Sequence, residues 1–205
     1  MIHIQCGNYA KASAQADELI TLADNKGAAQ WKSLAIVEKG CVFSLTGKTP
    51  DAVHTITVGI AASRPMGGAL WRPTFLSSLA SACADLGQFD EAWRCINEAT
   101  AIIETNKERR WEAQVNLVAG EIALKSPTSD PAKAATSFDH ALAVARAQQA
   151  KSWELRAAMS MARLWRDQGK RDEARDLLAP VYGWFTEGFD TRDLKDAKAL
   201  LEELA

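Results

Sequence analysis

A Gly-Lys-Thr tripeptide and three histidines are the first residues of this 205-residue chain to consider for chemistry. The tripeptide at 47–49 matches the end of a phosphate-binding loop. That motif also needs a glycine at position 42, which is Val42, and a preceding strand. His3, His54 and His140 have no neighbouring serine or cysteine with a third, orienting group. The sequence therefore predicts neither a nucleotide site nor a catalytic residue.

Cysteines and carboxylates give no stronger signal. Cys6, Cys41, Cys83 and Cys95 form no C-x-x-C pair and have no nearby histidine, so we expect small apolar residues between helices rather than metal ligands. Acidic residues mostly alternate with lysine and arginine, which is typical of solvated helix faces. We predict no metal, no cofactor and no enzymatic activity for this chain alone.

Charge and hydropathy limit the partners. The 24 basic and 26 acidic residues are interspersed and give a net charge of −2, which disfavours nucleic acid. The chain has no run of 18 apolar residues and no basic, then apolar, leader at its start. The sequence therefore predicts no membrane partner and a cytoplasmic location.

Tryptophan and alanine recur at a fixed step of about 40 residues. Trp31, Trp71, Trp111 and Trp153 are separated by 40, 40 and 42 residues. A set of alanines keeps the same step, and self-similarity at this period indicates stacked supersecondary units. The chain contains 37 alanines and only 6 prolines, so these units should be helical. The recurring alanines are Ala12, Ala52, Ala92, Ala134 and Ala174.

Each repeat is predicted to be two helices. Nine residues after each tryptophan comes a minimal side chain that lets a neighbouring helix approach: Gly40, Ala80, Gly120 or Ala162. A glycine or turn residue then ends the first helix, and Thr49 and Asp130, each followed by a proline, are predicted to be N-caps of the second helix in their repeats. The buried stripe of the second helix is predicted four residues beyond the recurring alanine, at Ala16, Ile56, Ile96, Phe138 and Leu178, and one turn later at Ile20, Ile60, Thr100, Leu142 and Tyr182.

The tryptophans themselves are predicted to fill the junctions between successive repeats. The alternative is that their rings form an exposed platform for a ligand.

Residues 7–12 and 87–92 follow the pattern G-x-[aromatic]-x-x-A at the turn between helices and resemble tetratricopeptide repeats, although the period is 40 rather than 34. Residues 150–204, with Leu164-Trp165-Arg166-Asp167-Gln168-Gly169-Lys170 and the run from Pro180 to Phe189, resemble the C-terminus of bacterial class III adenylate/guanylate cyclases that carry an ATPase module. The resemblance implies that this chain is the C-terminal part of a longer signalling protein or a short relative of one.

Period and resemblance together predict an all-α, right-handed superhelical solenoid of antiparallel helix pairs, forming one domain over 1–205. Its parts are a partial first repeat at 1–26, four helix-pair repeats at 27–66, 67–106, 107–148 and 149–188, and a C-terminal capping helix at 189–205. The implied function is a non-catalytic protein-interaction or regulatory scaffold in signal transduction. The alternative is a small-ligand or peptide sensor that regulates an attached ATPase. The oligomeric state stays open.

In tetratricopeptide solenoids the first helices line a concave groove. The resemblance places the residues three, six and ten positions after each tryptophan in that groove, where they would hold a protein or peptide. Arginines there could bind a carboxylate. The alternative is that all are ordinary solvated side chains. The predicted positions are Leu34, Val37 and Cys41; Thr74, Ser77 and Ser81; Gln114, Leu117 and Glu121; Arg156, Met159 and Arg163; with Arg166 beside them.

Overall fold

The structure is a computed structural model that describes residues 2–63 and 70–205. Those residues form helices joined by turns, without a strand, which confirms the all-α prediction. The helices are α1 (Ile2–Gln5), α2 (Tyr9–Lys26), α3 (Ala29–Leu45), α4 (Thr49–Ser63), α5 (Arg72–Asp85), α6 (Phe89–Asn106), α7 (Glu112–Lys125), α8 (Pro131–Ala147), α9 (Lys151–Asp167), α10 (Arg171–Gly183) and α11 (Arg192–Glu203).

The chain divides into two compact units, Met1–Trp111 and Glu112–Ala205. In the first unit each helix packs on the next, and α3 also contacts α5. The second unit behaves in the same way: α7 to α11 pack consecutively, α7 contacts α9, and α9 contacts α11. Each of the segments 27–66, 67–106, 107–148 and 149–188 contains two helices.

The recurring small and apolar residues form the core of both units. All five recurring alanines are at most 6% exposed. The residues four positions beyond them in the second helices are at most 4% exposed. Phe138 and Ile56 are among the largest fully buried side chains. The row one turn later is buried at Ile60 and Leu142, half-buried at Ile20 and Tyr182, and exposed at Thr100, so the predicted stripe is correct in its first row and wrong at Thr100.

Close helix approach at the glycines of the first helices is also confirmed. A Cβ atom added at Gly120 would lie 2.4 Å from Cε1 of Phe138. One added at Gly40 would lie 2.5 Å from Cγ1 of Ile56 and 3.0 Å from its backbone nitrogen. The distances to the Phe138 and Ile56 side chains are well below van der Waals contact, so only glycine fits where α3 meets α4 and α7 meets α8.

Helix starts agree with the turn chemistry in one of two predicted places. Asp130 caps α8, and its Oδ1 accepts a hydrogen bond from the backbone N–H of Lys133 at 2.9 Å, with Pro131 as the first helical residue. Thr49 was expected to be the cap of α4 but is its first residue. Between α5 and α6 the chain turns through Gly87, whose φ of 75° favours glycine.

The tryptophans do not share one environment. Trp111 is 9% exposed, as the prediction of a junction residue requires. Trp71 and Trp153 are half-buried, whereas Trp31 is 57% exposed. The prediction is therefore wrong for Trp31, whose ring contributes to the surface.

Candidate functional site

Several residues that the sequence singles out for possible chemistry are in contact with other side chains or buried in the folded chain. The turn between α3 and α4 contains Gly47 and Lys48, and the Lys48 ammonium lies 5.7 Å from the centre of the Phe43 ring. Burial, with a smaller effect of the Glu91 carboxylate, raises the pKa of the Cys83 thiol to about 11 and that of Cys95 to about 12. Both thiols are thus protonated at neutral pH and are poor nucleophiles.

Within residues 2–63 and 70–205, no group of three or more histidine, cysteine, aspartate or glutamate residues is arranged to hold a metal ion.

The predicted groove positions fall into rows with different exposure. The row six residues after each tryptophan is buried throughout, so the expectation that it faces a ligand is corrected. These side chains face neighbouring helices because the packed face of each first helix is wider than the small-residue seam alone. The row consists of Val37, Ser77, Leu117 and Met159.

Thr74 needs the same correction. It is 1% exposed and Ser77 is 0% exposed, because α5 is buried along most of its length. The Ser77 hydroxyl donates a hydrogen bond to the Thr74 carbonyl at 2.9 Å, so its polar group is satisfied within the helix. Neither hydroxyl is available to a ligand at the surface.

The remaining predicted positions are half-exposed. In the first unit these are Leu34 and Cys41 on α3 and Ser81 on the neighbouring helix α5. In the second unit the neighbouring helices α7 and α9 present a more polar set: Gln114, Glu121, Arg156, Arg163 and Arg166. The second unit therefore holds the charged part of the predicted site.

Two of the three arginines bind helix α11. Nε of Arg156 lies 2.7 Å from Oδ2 of Asp193, and its guanidinium carbon lies 4.8 Å from the centre of the Trp153 ring. Nη1 of Arg166 lies 2.5 Å from Oε2 of Glu203. Hydrogen bonds that Arg166 donates to the carboxylates of Asp167 and Glu203 raise its pKa above the ordinary value, so it stays charged.

Arg163 differs from both neighbours. It is half-exposed, and among the residues that the structure describes it has no carboxylate, carbonyl or aromatic partner. A guanidinium in this state retains all its donors for an incoming carboxylate. Of the predicted site residues, Arg163 is the cation that can bind an external anion without breaking an existing ion pair.

Sequence reasoning missed the carboxylates that pair with Arg156 and Arg166. Asp193 and Glu203 each follow their arginine by 37 residues, and equal separations of this kind are the signal of two parallel helices in register. It also missed a small pocket in the first unit, with about 30 Å³ of free volume. That pocket is lined by Gln30, Trp31, Ser33, Leu34, Ser63, Trp71 and Phe75.

Comparison with known proteins adds no assignment. No protein-family model matches the chain, and no curated protein matches it either. None of the helices in the described ranges is both long enough and apolar enough to cross a bilayer.

Proposed function

We propose that the helix pairs stack as a right-handed, tetratricopeptide-like solenoid and that the chain is a non-catalytic interaction or regulatory module. Contacts between successive first helices support this stacking: α3 with α5 in the first unit, and α7 with α9 and α9 with α11 in the second. In such solenoids the first helices form one continuous binding surface. The resemblance of residues 150–204 to cyclase C-termini supports a cytoplasmic role in signal transduction as part of a longer bacterial protein.

The observation that carries the proposed function is the unpaired guanidinium of the half-exposed Arg163 on α9, a helix that packs on α7. A peptide or protein carboxylate would bind Arg163 through charge-assisted hydrogen bonds, which are about twice as strong as neutral ones. Gln114 and Glu121 on α7 would contact the polar part of the same partner. The binding surface is thus smaller than the sequence predicts and excludes Thr74 and Ser77.

Charge reversal at Arg163 tests this proposal. Tagged wild-type chain and the variants Arg163→Glu and Lys170→Glu are used to capture proteins from native lysate, and circular dichroism checks that each variant is folded. Lys170 is an exposed cation in the turn before α10, so it controls for the change in net charge. We expect Arg163→Glu to lose partners that wild type and Lys170→Glu retain. Equal capture by all three, or turnover of ATP by the chain alone, would contradict the proposal.

The pocket in the first unit supports a second candidate, a small-ligand sensor. Its lining of Trp31, Leu34, Trp71 and Phe75 with a few polar groups has the chemistry of ligand sites. Its free volume of about 30 Å³ holds only one or two waters, which ranks this candidate second. Thermal-shift measurements with nucleotides and metabolites test it. A rise in Tm that Trp71→Ala abolishes would favour sensing over protein interaction.

A further inference from the structure

The segment between α10 and α11 exposes about half of each of two large aromatic side chains. We call residues 184–190 the aromatic loop. Trp184 is 56% exposed and Phe189 is 46% exposed. Large aromatic side chains are enriched in the cores of protein interfaces, and tryptophan is among the residues that most often contribute a large share of the binding energy.

The backbone of the aromatic loop has a defined shape. The N–H of Phe185 donates to the carbonyl of Tyr182 at 3.2 Å. Thr191 donates to the carbonyl of Gly188 through its backbone N–H at 2.9 Å and its hydroxyl at 2.7 Å. A ligand would therefore meet a preorganised loop, which lowers the entropy lost on binding.

The rings hold each other in two edge-to-face pairs. The ring centres of Tyr182 and Phe189 are 5.9 Å apart with planes at 62°, and those of Trp184 and Phe185 are 5.2 Å apart at 87°. These are favourable geometries for aromatic pairs. The exposed faces of Trp184 and Phe189 are thus fixed in place.

Charge around the loop favours a cationic partner. Within the described part of the chain, Glu187 and Asp190 have no ion pair or hydrogen bond to their carboxylates. The Lys151 ammonium lies 5.4 Å from the centre of the Trp184 ring and is also 2.7 Å from Oε2 of Glu154. The Trp184 ring therefore already accepts a cation, and two uncompensated carboxylates lie in the same loop.

We propose that the aromatic loop is a docking surface for a basic, apolar segment of a partner protein. Apolar side chains of that segment cover Trp184 and Phe189, while its lysines or arginines pair with Glu187 and Asp190. This surface is separate from the Arg163 surface, which suits a carboxylate. The proposal does not rest on the proposed function.

Two other occupants fit the charges less well. If a second copy of this chain paired through the same loop about a two-fold axis, Glu187 and Asp190 of both copies would face each other and repel. A bilayer surface rich in anionic lipid would meet the same two carboxylates and be repelled in turn. A basic segment is the occupant that the charges attract.

Calorimetric titration of the whole chain tests the proposal with two synthetic probes. One is an amphipathic helical peptide of leucine and lysine, and the other has glutamate in place of each lysine. We expect only the lysine peptide to bind. Trp184→Ala should weaken its affinity by about tenfold or more, as truncation of an interface anchor does. Trp31→Ala is the matched control, because Trp31 is 57% exposed but lies on α3, and should change the affinity less than about twofold.

Two double variants that neutralise carboxylates keep the test valid if Trp184→Ala disturbs the loop. Glu187→Gln/Asp190→Asn should weaken the lysine peptide by about three- to tenfold and flatten its dependence on salt. Glu173→Gln/Asp176→Asn removes the same charge from exposed positions on α10 and should leave binding nearly unchanged.

Several results would overturn the proposal. The first is an equal loss of affinity for the lysine peptide in Trp31→Ala and Trp184→Ala. The second is an equal loss in the two double variants, and the third is binding of the glutamate peptide as tightly as the lysine peptide. Tighter binding to phosphatidylserine vesicles than to the lysine peptide would point to a membrane instead. A dimer of the free chain that Trp184→Ala abolishes would point to a second copy.

Discussion

Trp111 and Trp31 stand at the same place in the repeat but in opposite surroundings. The Trp111 ring lies 5.4 Å from the centre of the Trp71 ring, and its Nε1–H donates to the Leu70 carbonyl at 2.7 Å, leaving the residue 9% exposed. Trp31 lies at the edge of the small pocket and is 57% exposed. The period fixes where a tryptophan occurs, whereas its neighbours decide whether the ring is buried.

The difference follows from what each indole can contact. A buried tryptophan must satisfy its N–H as well as cover its ring. Trp111 does both with Leu70 and Trp71, which lie one repeat earlier in the same unit. Trp153 also packs on its preceding repeat, against the buried side chains of Ala113, Val144 and Ala145, but without a ring there it stays half-buried.

Truncation of these two tryptophans should give the largest difference. Trp111→Ala removes a buried ring and should lower the free energy of unfolding by about 3–5 kcal/mol. For a chain of this size that is a fall in Tm of about 6–20 °C, measurable by thermal denaturation followed by circular dichroism.

Trp31→Ala should lower the free energy of unfolding by only about 1–2 kcal/mol, because more than half of its side chain is already in water. Equal falls in Tm for Trp31→Ala and Trp111→Ala would mean that exposure does not distinguish the two positions.

A glycine in a seam between two helices should respond to substitution differently from a glycine at a helix end. Gly120→Ala would place a Cβ 2.4 Å from the fully buried Phe138 ring, and the overpacking should cost about 1–3 kcal/mol despite the better helix propensity of alanine. Gly183→Ala, at the end of α10, meets no atom within 4 Å and should be neutral or stabilising. Urea denaturation of both variants measures the difference. A stable Gly120→Ala chain would show that the α7–α8 seam can widen.

Sequence periodicity predicted the helices, the seams and the first row of the buried face of the second helices because those features depend on local propensity and spacing. Exposure of the first-helix positions was less predictable. Ser77 is polar and was expected at the surface, but Oγ finds an acceptor within its own helix, so burial leaves no polar group unsatisfied. The pairing of Arg156 and Arg166 depends on how α11 packs on α9, a tertiary contact that a single repeat does not encode.

The start of α9 holds a buried carboxylate between two cationic side chains. Glu154, next to Trp153, is 5% exposed. Its Oε1 lies 3.0 Å from Nε of Arg146 and its Oε2 lies 2.7 Å from Nζ of Lys151. Burial alone would raise the pKa of Glu154, but the hydrogen bonds from Lys151 and Arg146 outweigh it and hold the pKa below its ordinary value.

Glu154→Gln removes this charge and should lower the free energy of unfolding at pH 7 by about 1–2 kcal/mol, a modest loss because both cations are partly exposed and regain water. Because the folded-state pKa is lowered, the carboxylate stabilises the fold above its unfolded-state pKa of about 4.3, and the effect is lost as the pH falls through the folded-state value. Urea denaturation from pH 7 to pH 3 should therefore show the difference between wild type and variant shrinking as the pH falls below about 4.3. A difference that persists undiminished at pH 3 would assign the loss to packing of the side chain rather than to its charge.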